Sequence, residues 1–294
     1  MGKMFSEARE ARKQVFADTK QMFETDNTLV VAVKSSIERQ QVILESDNVE
    51  VKNIGKLYDT SATIVVSKKR SLEAAKAYSN YKVCVHNFAS ATNPGGGVEN
   101  GSSAQEEAIC RCSTLFPCIS IPEIRSAFHD KHRNMLRNGV MDALYNDDCI
   151  YTPDVVVFKT DTDHPNLMEE NEWYKVDIIT CAAPNLRSRP SNAMNPGSGD
   201  KAVVMKPNDL MKLHMKRVGK ILDIAKKNGA EVVILGAFGC GAFQNSPDIV
   251  AEAMARLIPE YRNDFKVIEF AVYCPPRDTK NYDVFSRRLG QFMK

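Results

Sequence analysis

The 294-residue sequence has no Cys-x-x-Cys pair, no block of like charge and no internal repeat. It also has no apolar run approaching the roughly 18 residues of a spanning helix. Each absence narrows the field. Eight cysteines, at positions 84, 110, 112, 118, 149, 181, 240 and 274, sit mostly inside apolar strand or helix patterns. They read as buried free thiols rather than as a disulfide framework or zinc site. Of the five histidines, only His129 and His132 stand at helical spacing. With no third and fourth ligand beside them they read as a surface pair on a charged helix, and no metal is expected. A formal net charge of +2 predicts neither a nucleic-acid-binding tail nor a membrane-surface protein. Residues 1–24 are charged and helix-like, without the apolar centre of a leader, so an intracellular protein, cytoplasmic or nuclear, is expected.

What is present is the composition of a globular protein: 43% hydrophobic and 26% charged residues. A chain of this length buries a sizeable core without staples. Residues 5–23 show helical spacing, followed by β-rich patches at 41–44 and 62–66. The pattern from 71 to 78 predicts a helix with Ser71 as its N-cap. Residues 82–88 predict a strand, 89–101 a turn-forming stretch, and Ser103, three before Glu106, the capping box of a new helix. A mostly helical pattern covers 119–146. Strands are expected at 149–158, 176–180, 232–235 and 267–273, and helices at 209–228, 248–257 and 282–292. A Pro/Ser/Asn/Gly-rich loop separates 183 from 208. Strands alternating with helices imply an α/β layered fold with a mixed or largely parallel sheet. No composition shift marks a second independent domain, so residues 59–294 are expected as one domain and 1–58 as a helical and β accessory extension.

Three segments carry chemistry. The first is His86-Asn87-Phe88-Ala89-Ser90-Ala91-Thr92-Asn93-Pro94-Gly95-Gly96-Gly97, a strand running into three glycines that expose backbone N–H groups. Alone it could be a flexible surface turn. The second is Gln105-Glu106-Glu107 in the first turn of the next helix. Adjacent side chains there diverge by about 100°, so one carboxylate can face a substrate while the other reaches a neighbour. Acidic residues also simply favour a helix N-terminus. The third is Gly236-Ala237-Phe238-Gly239-Cys240-Gly241-Ala242-Phe243, between a strand and a helix, where a glycine loop wraps a diphosphate. Gln244 stands where a dinucleotide fingerprint needs its third glycine, and no Gly-Lys-Ser/Thr occurs, so neither that fingerprint nor a Walker loop is present. Phe243 could stack on a sugar or base, although a lone aromatic is more often core.

Together, Asn-Phe-Ala-x-Ala-x-Asn-Pro-Gly-Gly-Gly, a short spacer and Gln-Glu-Glu resemble the catalytic signature of bacterial-type poly(ADP-ribose) glycohydrolases. Gly-Cys-Gly-Ala-Phe resembles their diphosphate loop, and the likeness extends over most of 71–292. The resemblance implies a macrodomain-like fold, a three-layer α/β/α sandwich with ADP-ribose across the carboxyl ends of the strands. It implies Glu107 as the acid that protonates the departing oxygen, and Glu106 as a ligand of a hydroxyl on the leaving ribose. Asn93 would bind a hydroxyl of the distal ribose. Gly95, Gly96, Gly97 and Gln105 would take part in ADP-ribose binding, and Gly239, Cys240, Gly241 and Ala242 would cradle a phosphate. Phe243 would pack on the distal ribose and position the attacking water. For adenine stacking, Tyr282 and Phe285 are the candidates, though both also suit the apolar face of the final helix. No metal or other cofactor is implied. The expected partner of this monomer is ADP-ribose or poly(ADP-ribose), free or attached to protein or nucleic acid. An ADP-ribose reader without activity, and a hydrolase of mono-ADP-ribose on protein or nucleic acid, are the competing readings; Arg187-Ser188-Arg189 could serve the latter, or be solvated surface.

Overall fold

The computed structural model of the protein describes residues 2–51, 55–193, 195–275 and 278–293, with side chains from residue 6 onward. Of the remainder, residues 1 and 52–54 fall in the expected extension and 194 in the expected loop. Seven strands form one sheet among the described residues: β1 (Gln41–Ile43), β2 (Thr63–Ser67), β3 (Val83–Ala89), β4 (Cys149–Val157), β5 (Tyr174–Ala182), β6 (Val232–Leu235) and β7 (Val267–Ala271). Their order is β1-β4-β5-β3-β6-β7-β2. Strands β2, β3, β5, β6 and β7 are parallel to one another, and β4 pairs antiparallel with both β5 and β1. The helices are α1 (Gly2–Thr25), α2 (Asn27–Arg39), α3 (Ser71–Lys76), α4 (Gln105–Cys112), α5 (Leu115–Ile119), α6 (Pro122–Ile124), α7 (Lys131–Arg137), α8 (Pro207–Lys227), α9 (Pro247–Tyr261) and α10 (Lys280–Leu289).

The central strands are apolar on both faces because both faces are covered. Along β3, Val83 and Val85 join a cluster with Phe16 of α1, Leu72 of α3, Ile109 of α4 and Leu115 of α5. Cys84, between them, points the other way, into a cluster with α8, α9 and α10. This is the expected three-layer sandwich. Helix α8 shows how the outer layer is made. Pro207 opens it at a position where its missing N–H costs nothing. Leu210, His214, Arg217, Val218, Ile221, Leu222 and Ala225 then recur at helical spacing as its buried stripe.

Several local expectations change. Residues 27–39, where the sequence pattern predicts no element, form α2, with the Asp26 carboxylate accepting from Leu29 N at 3.0 Å. Residues 1–58 supply α1, α2 and the edge strand β1, and Phe16, Phe23 and Leu29 pack into the apolar clusters. Ser71 is not an N-cap; Arg70 precedes the helix, and Ser71 Oγ instead accepts from Gln105 Nε2 at 3.0 Å. Nor does Ser103 form a capping box, because Ala104 is the cap of α4 and Glu106 turns inward to Ser90. The helical stretch from residue 119 is broken: a π-helical turn, Arg125–Asp130, lies between α6 and α7. Such a turn shifts the helical phase of the residues after it. His129, within that turn, and His132, after it, are buried, not a surface pair.

Burial has a consequence for acid stability. It depresses the imidazoles of His86 and His129 to about 3 and that of His214 to about 4. The unfolded chain, with histidines near 6.5, therefore binds more protons than the native one below that pH. Stability should fall as pH drops from about 6.5, each histidine removing on the order of 2 kcal/mol by pH 5. Urea unfolding at pH 7 and pH 5 measures this, and His129→Gln should flatten the dependence. An unchanged slope in that variant would contradict a neutral buried His129.

All five parallel strands end on one edge of the sheet. The glycine loop follows β3, residues 183–206 follow β5, the second glycine loop follows β6, Val272–Tyr273 follow β7, and Arg70–Ser71 follow β2 shortly afterwards. The site is built on this edge.

Candidate active site

A cavity of about 550 Å³ opens among these segments. Gly96, Gly97, Gln105, Glu106 and Glu107 form one wall, and Gly239, Gly241, Ala242 and Phe243 another. Residues far apart in the chain are thus brought together by the adjacency of β3 and β6.

The two glutamates lie beneath the first loop. Glu106 Oε2 accepts from Ser90 N at 2.7 Å, and Glu107 Oε1 from Gly97 N at 2.9 Å. Each carboxyl has a second oxygen, Glu106 Oε1 and Glu107 Oε2, that is buried without a partner. Burial pushes Glu106 well above the usual carboxylate range, and the neighbouring Glu107 charge pushes it further. Burial also raises Glu107, against the Gly97 N–H bond and the Arg111 charge. Both carboxyls therefore hold their protons to higher pH than separate, solvated carboxylates would. Gly96 explains the glycine run. It has φ +59°, and a Cβ there would lie 2.6 Å from Glu107 Oε1 and 3.1 Å from Glu106 Oε2. Only a residue without a side chain lets the loop close over both acids.

Gln105 borders the cavity, but its amide is spent on the protein. Its Oε1 accepts from Phe88 N (2.8 Å), and its Nε2 donates to His86 O (2.7 Å) and to Ser71 Oγ. It anchors α4 to the end of β3, a part the sequence did not indicate. Asn93 is not in the cavity wall. Its Nδ2 is directed at Asn195 Oδ1 and Pro196 O, both at 3.1 Å, and its Oδ1 accepts from Arg133 Nη2 at 3.2 Å. These bonds tie the loop to residues 195–196 and to Arg133 of α7. Gly95 and Cys240 also lie outside the wall; a Cβ on Gly95 would strike Phe116, and the Cys240 thiol packs against the α8–α9–α10 cluster.

The second loop is fastened from behind. Asn245 Nδ2 donates to Pro184 O (2.7 Å) and Gly239 O (3.1 Å), and its Oδ1 contacts His214 Nε2 at 2.9 Å. Of the two loop phenylalanines, Phe238 is core, edge-on to His86 at 4.3 Å, whereas Phe243 borders the cavity.

The adenine candidates need correction. Phe285 is fully buried and packs on Phe270 with ring centroids 6.3 Å apart, so no ligand can stack on it. Tyr282 packs against the same core beneath Lys68 and does not reach the cavity. The tyrosine that does border it is Tyr273, 39% exposed, with the Arg70 guanidinium 3.8 Å from its ring centre. Sequence reasoning missed Tyr273, although its place directly after the last strand was the available signal. It also missed a charged residue of the wall, Asp161, while Arg187, weighed in the sequence as a contact for a protein- or nucleic-acid-linked target or as solvated surface, borders the same cavity. Burial lifts Asp161 to about 6, and its Oδ2 accepts from Leu72 N at 3.1 Å.

A second concavity, about 640 Å³, lies by the amino ends of β3 and β5. Both oxygens of its buried carboxylate, Asp177, have protein partners, Tyr151 Oη and Lys82 Nζ on one and Asp154 N on the other. Among the described residues, no group of three or more His, Cys, Asp and Glu side chains is placed to hold a metal ion, and no helix is long and apolar enough to cross a membrane.

Comparison with known proteins fits this geometry. Residues 11–160 match the family described as microbial-type PARG, catalytic domain. Similar solved structures include the poly(ADP-ribose) glycohydrolase of Thermomonospora curvata bound to the inhibitor ADP-HPD. It is 27% identical, with a TM-score of 0.76, and the likeness covers 95% of this chain and 99% of that one. Another is the glycohydrolase of Deinococcus radiodurans in complex with ADP-ribose, 25% identical, with a TM-score of 0.72 over 89% of this chain and 98% of that one. No curated protein matches the chain. Because the family match takes in the first glycine loop and both glutamates, and the structural likeness runs almost the full length of the solved proteins, the chain belongs to the microbial-type poly(ADP-ribose) glycohydrolase family.

Proposed function

We propose that the protein hydrolyses the terminal ribosyl bond of poly(ADP-ribose) and releases ADP-ribose. The observation that carries this reading is the glutamate pair: each carboxyl is fixed through one oxygen and has the other unpartnered, beside a cavity walled by two glycine loops. A module that only held ADP-ribose would gain nothing from two buried acids, which cost stability.

Glu107 in its protonated form donates to the departing oxygen. The carboxylate so formed takes a proton from the attacking water, one group serving as acid and then as base. Glu106 orients a hydroxyl of the leaving ribose. The backbone N–H groups of the second loop hold the diphosphate, whose negative charge also favours the positive ribosyl centre of the transition state. Phe243 packs on the distal ribose, and adenine packs at Tyr273.

The test is incubation with poly(ADP-ribose), with mono-ADP-ribosylated protein and with ADP-ribosylated DNA, scoring free ADP-ribose by mass spectrometry. Release from the polymer supports the proposal. Release only from a mono-ADP-ribosylated target would reassign the substrate, and binding without release would make the protein a reader.

Since every step is given to carboxyls and substrate phosphates, EDTA should leave turnover unchanged. Loss of activity that one divalent metal restores would point to a different mechanism.

A further inference from the structure

Between the first glycine loop and α4 the chain runs through a spacer, residues 98–104, whose only regular structure is one 3-10 turn, Val98–Asn100. So short a turn does not fix its own shape. Its carbonyls are held from outside. Arg9 Nε donates to Asn100 O (2.7 Å), Arg12 Nε to Gly101 O (2.7 Å) and Arg111 Nη1 to Ser102 O (2.6 Å). Three consecutive carbonyls each accept from an arginine, and two of the arginines are on α1. Gly101 has φ +73°, and a Cβ there would collide with the Arg9 carbonyl, so α1 lies directly on the spacer backbone.

The same helix grips both neighbours of the spacer. Thr19 Oγ1 donates to Arg111 O, near the end of α4, at 2.6 Å. Phe16 meets Phe116 edge-on at 5.0 Å, and Phe116 is the side chain that a Cβ on Gly95 would strike. Within this frame Gly97 O accepts from Asn100 N (3.0 Å) and Ser102 N (3.1 Å), while Gly97 N donates to Glu107.

We propose that α1 is a positioning element of the active site: Arg12, supported by Arg9, holds the spacer so that Gly97 keeps the Glu107 carboxyl aimed into the cavity. Neither arginine is placed to touch substrate in this role; both act through the backbone of the spacer. The proposal rests on Glu107 being the proton donor. Displacing a catalytic group by about 1 Å can cost on the order of 10²-fold in rate, so a distant anchor can matter to turnover.

Arg12→Met removes the anchor, and Gly101→Ala wedges α1 away from the spacer. Lys13→Met, on the neighbouring position and paired to Glu10 at the exposed surface in a 3.0 Å ion pair, serves as the charge control. Both test variants should lose about tenfold or more in kcat while KM and ADP-ribose affinity by calorimetry move less than about twofold. Arg12→Lys should recover part of the loss, and Lys13→Met should match the parent. Hydrogen–deuterium exchange should quicken in the peptide spanning residues 94–107 and stay unchanged in β6 and α8. An unchanged kcat in both test variants, or faster exchange spread evenly over the protein, would overturn the proposal. The exchange result does not need turnover. A parent protein without glycosidase activity would defeat the assignment of Glu107, and exchange would still decide whether α1 governs the spacer.

Discussion

Glu107→Gln should leave ADP-ribose affinity almost unchanged and cut turnover by at least about 10²-fold, the low end for general acid–base catalysis. The amide keeps the size of the side chain and an oxygen that can still accept from Gly97 N, but it has no proton to give. The loss should therefore fall on the chemical step. Stability gives an internal check. The native carboxyl is buried and its protonation is favoured by burial. An uncharged amide removes that penalty, so the melting temperature should hold or rise. In the parent, the alkaline limb of the pH–rate profile should lie above the usual carboxylate range, because the acid must be protonated and burial raises the pH at which it ionises. Glu106→Gln should be comparable or milder, since its part is orientation. If the two glutamates only complemented the helix N-terminus, each variant would cost a few tenths of a kcal/mol and keep its turnover. An active Glu107→Gln protein would end the assignment.

Gly241→Leu and Gly96→Val should both abolish activity, for different physical reasons. A Cβ on Gly241 meets nothing within 4 Å, and the residue borders the cavity. Leucine there enters the space expected for the diphosphate without straining the fold. ADP-ribose affinity should drop by about 10²-fold or more, as losing two charge-assisted hydrogen bonds would give, with the melting temperature unchanged. At Gly96 the new side chain has nowhere to go. Its Cβ would press on Glu107 Oε1, and the backbone conformation there disfavours a β-branched residue. Strain of about 1–3 kcal/mol should lower the melting temperature, and the displaced carboxyls should end turnover. Calorimetry and thermal unfolding on the two proteins separate a blocked site from a disrupted one. Normal ADP-ribose binding by Gly241→Leu would mean that the second loop does not hold the diphosphate.

The correspondence between sequence and structure depends on the range of the interactions concerned. The glycine loop, the Gln-Glu-Glu turn and the second loop were legible because each is a contiguous string whose chemistry is backbone N–H groups and carboxyls at fixed spacing. Strands β3, β6 and β7 were legible for a similar reason: a strand buried on both faces must be apolar almost throughout. Even there, local logic overreached. Ser103 and Glu106 have the spacing of a capping box, yet Glu106 is drawn off by Ser90, sixteen residues earlier, once β3 and α4 are packed together.

The sequence by itself determined the layered α/β class, the family resemblance, the two loops and the acid pair, since these depend on neighbours along the chain. Tertiary structure alone decided which aromatic borders the cavity, that His129 and His132 face inward, that Arg187 belongs to the wall, and that α1 lies on the spacer. Phe285 and Tyr282 share a helix pattern that suits either a core or a ligand, and only the packing of α10 against α9 and the sheet sends Phe285 into the core. His129 lies in a π-helical turn that no 3.6-residue period anticipates. The contacts of Arg9 and Arg12 span about ninety residues of chain, and no local pattern encodes them. Such placements are set by which surfaces meet when the layers close, and one chain read in order does not contain that information in any single segment.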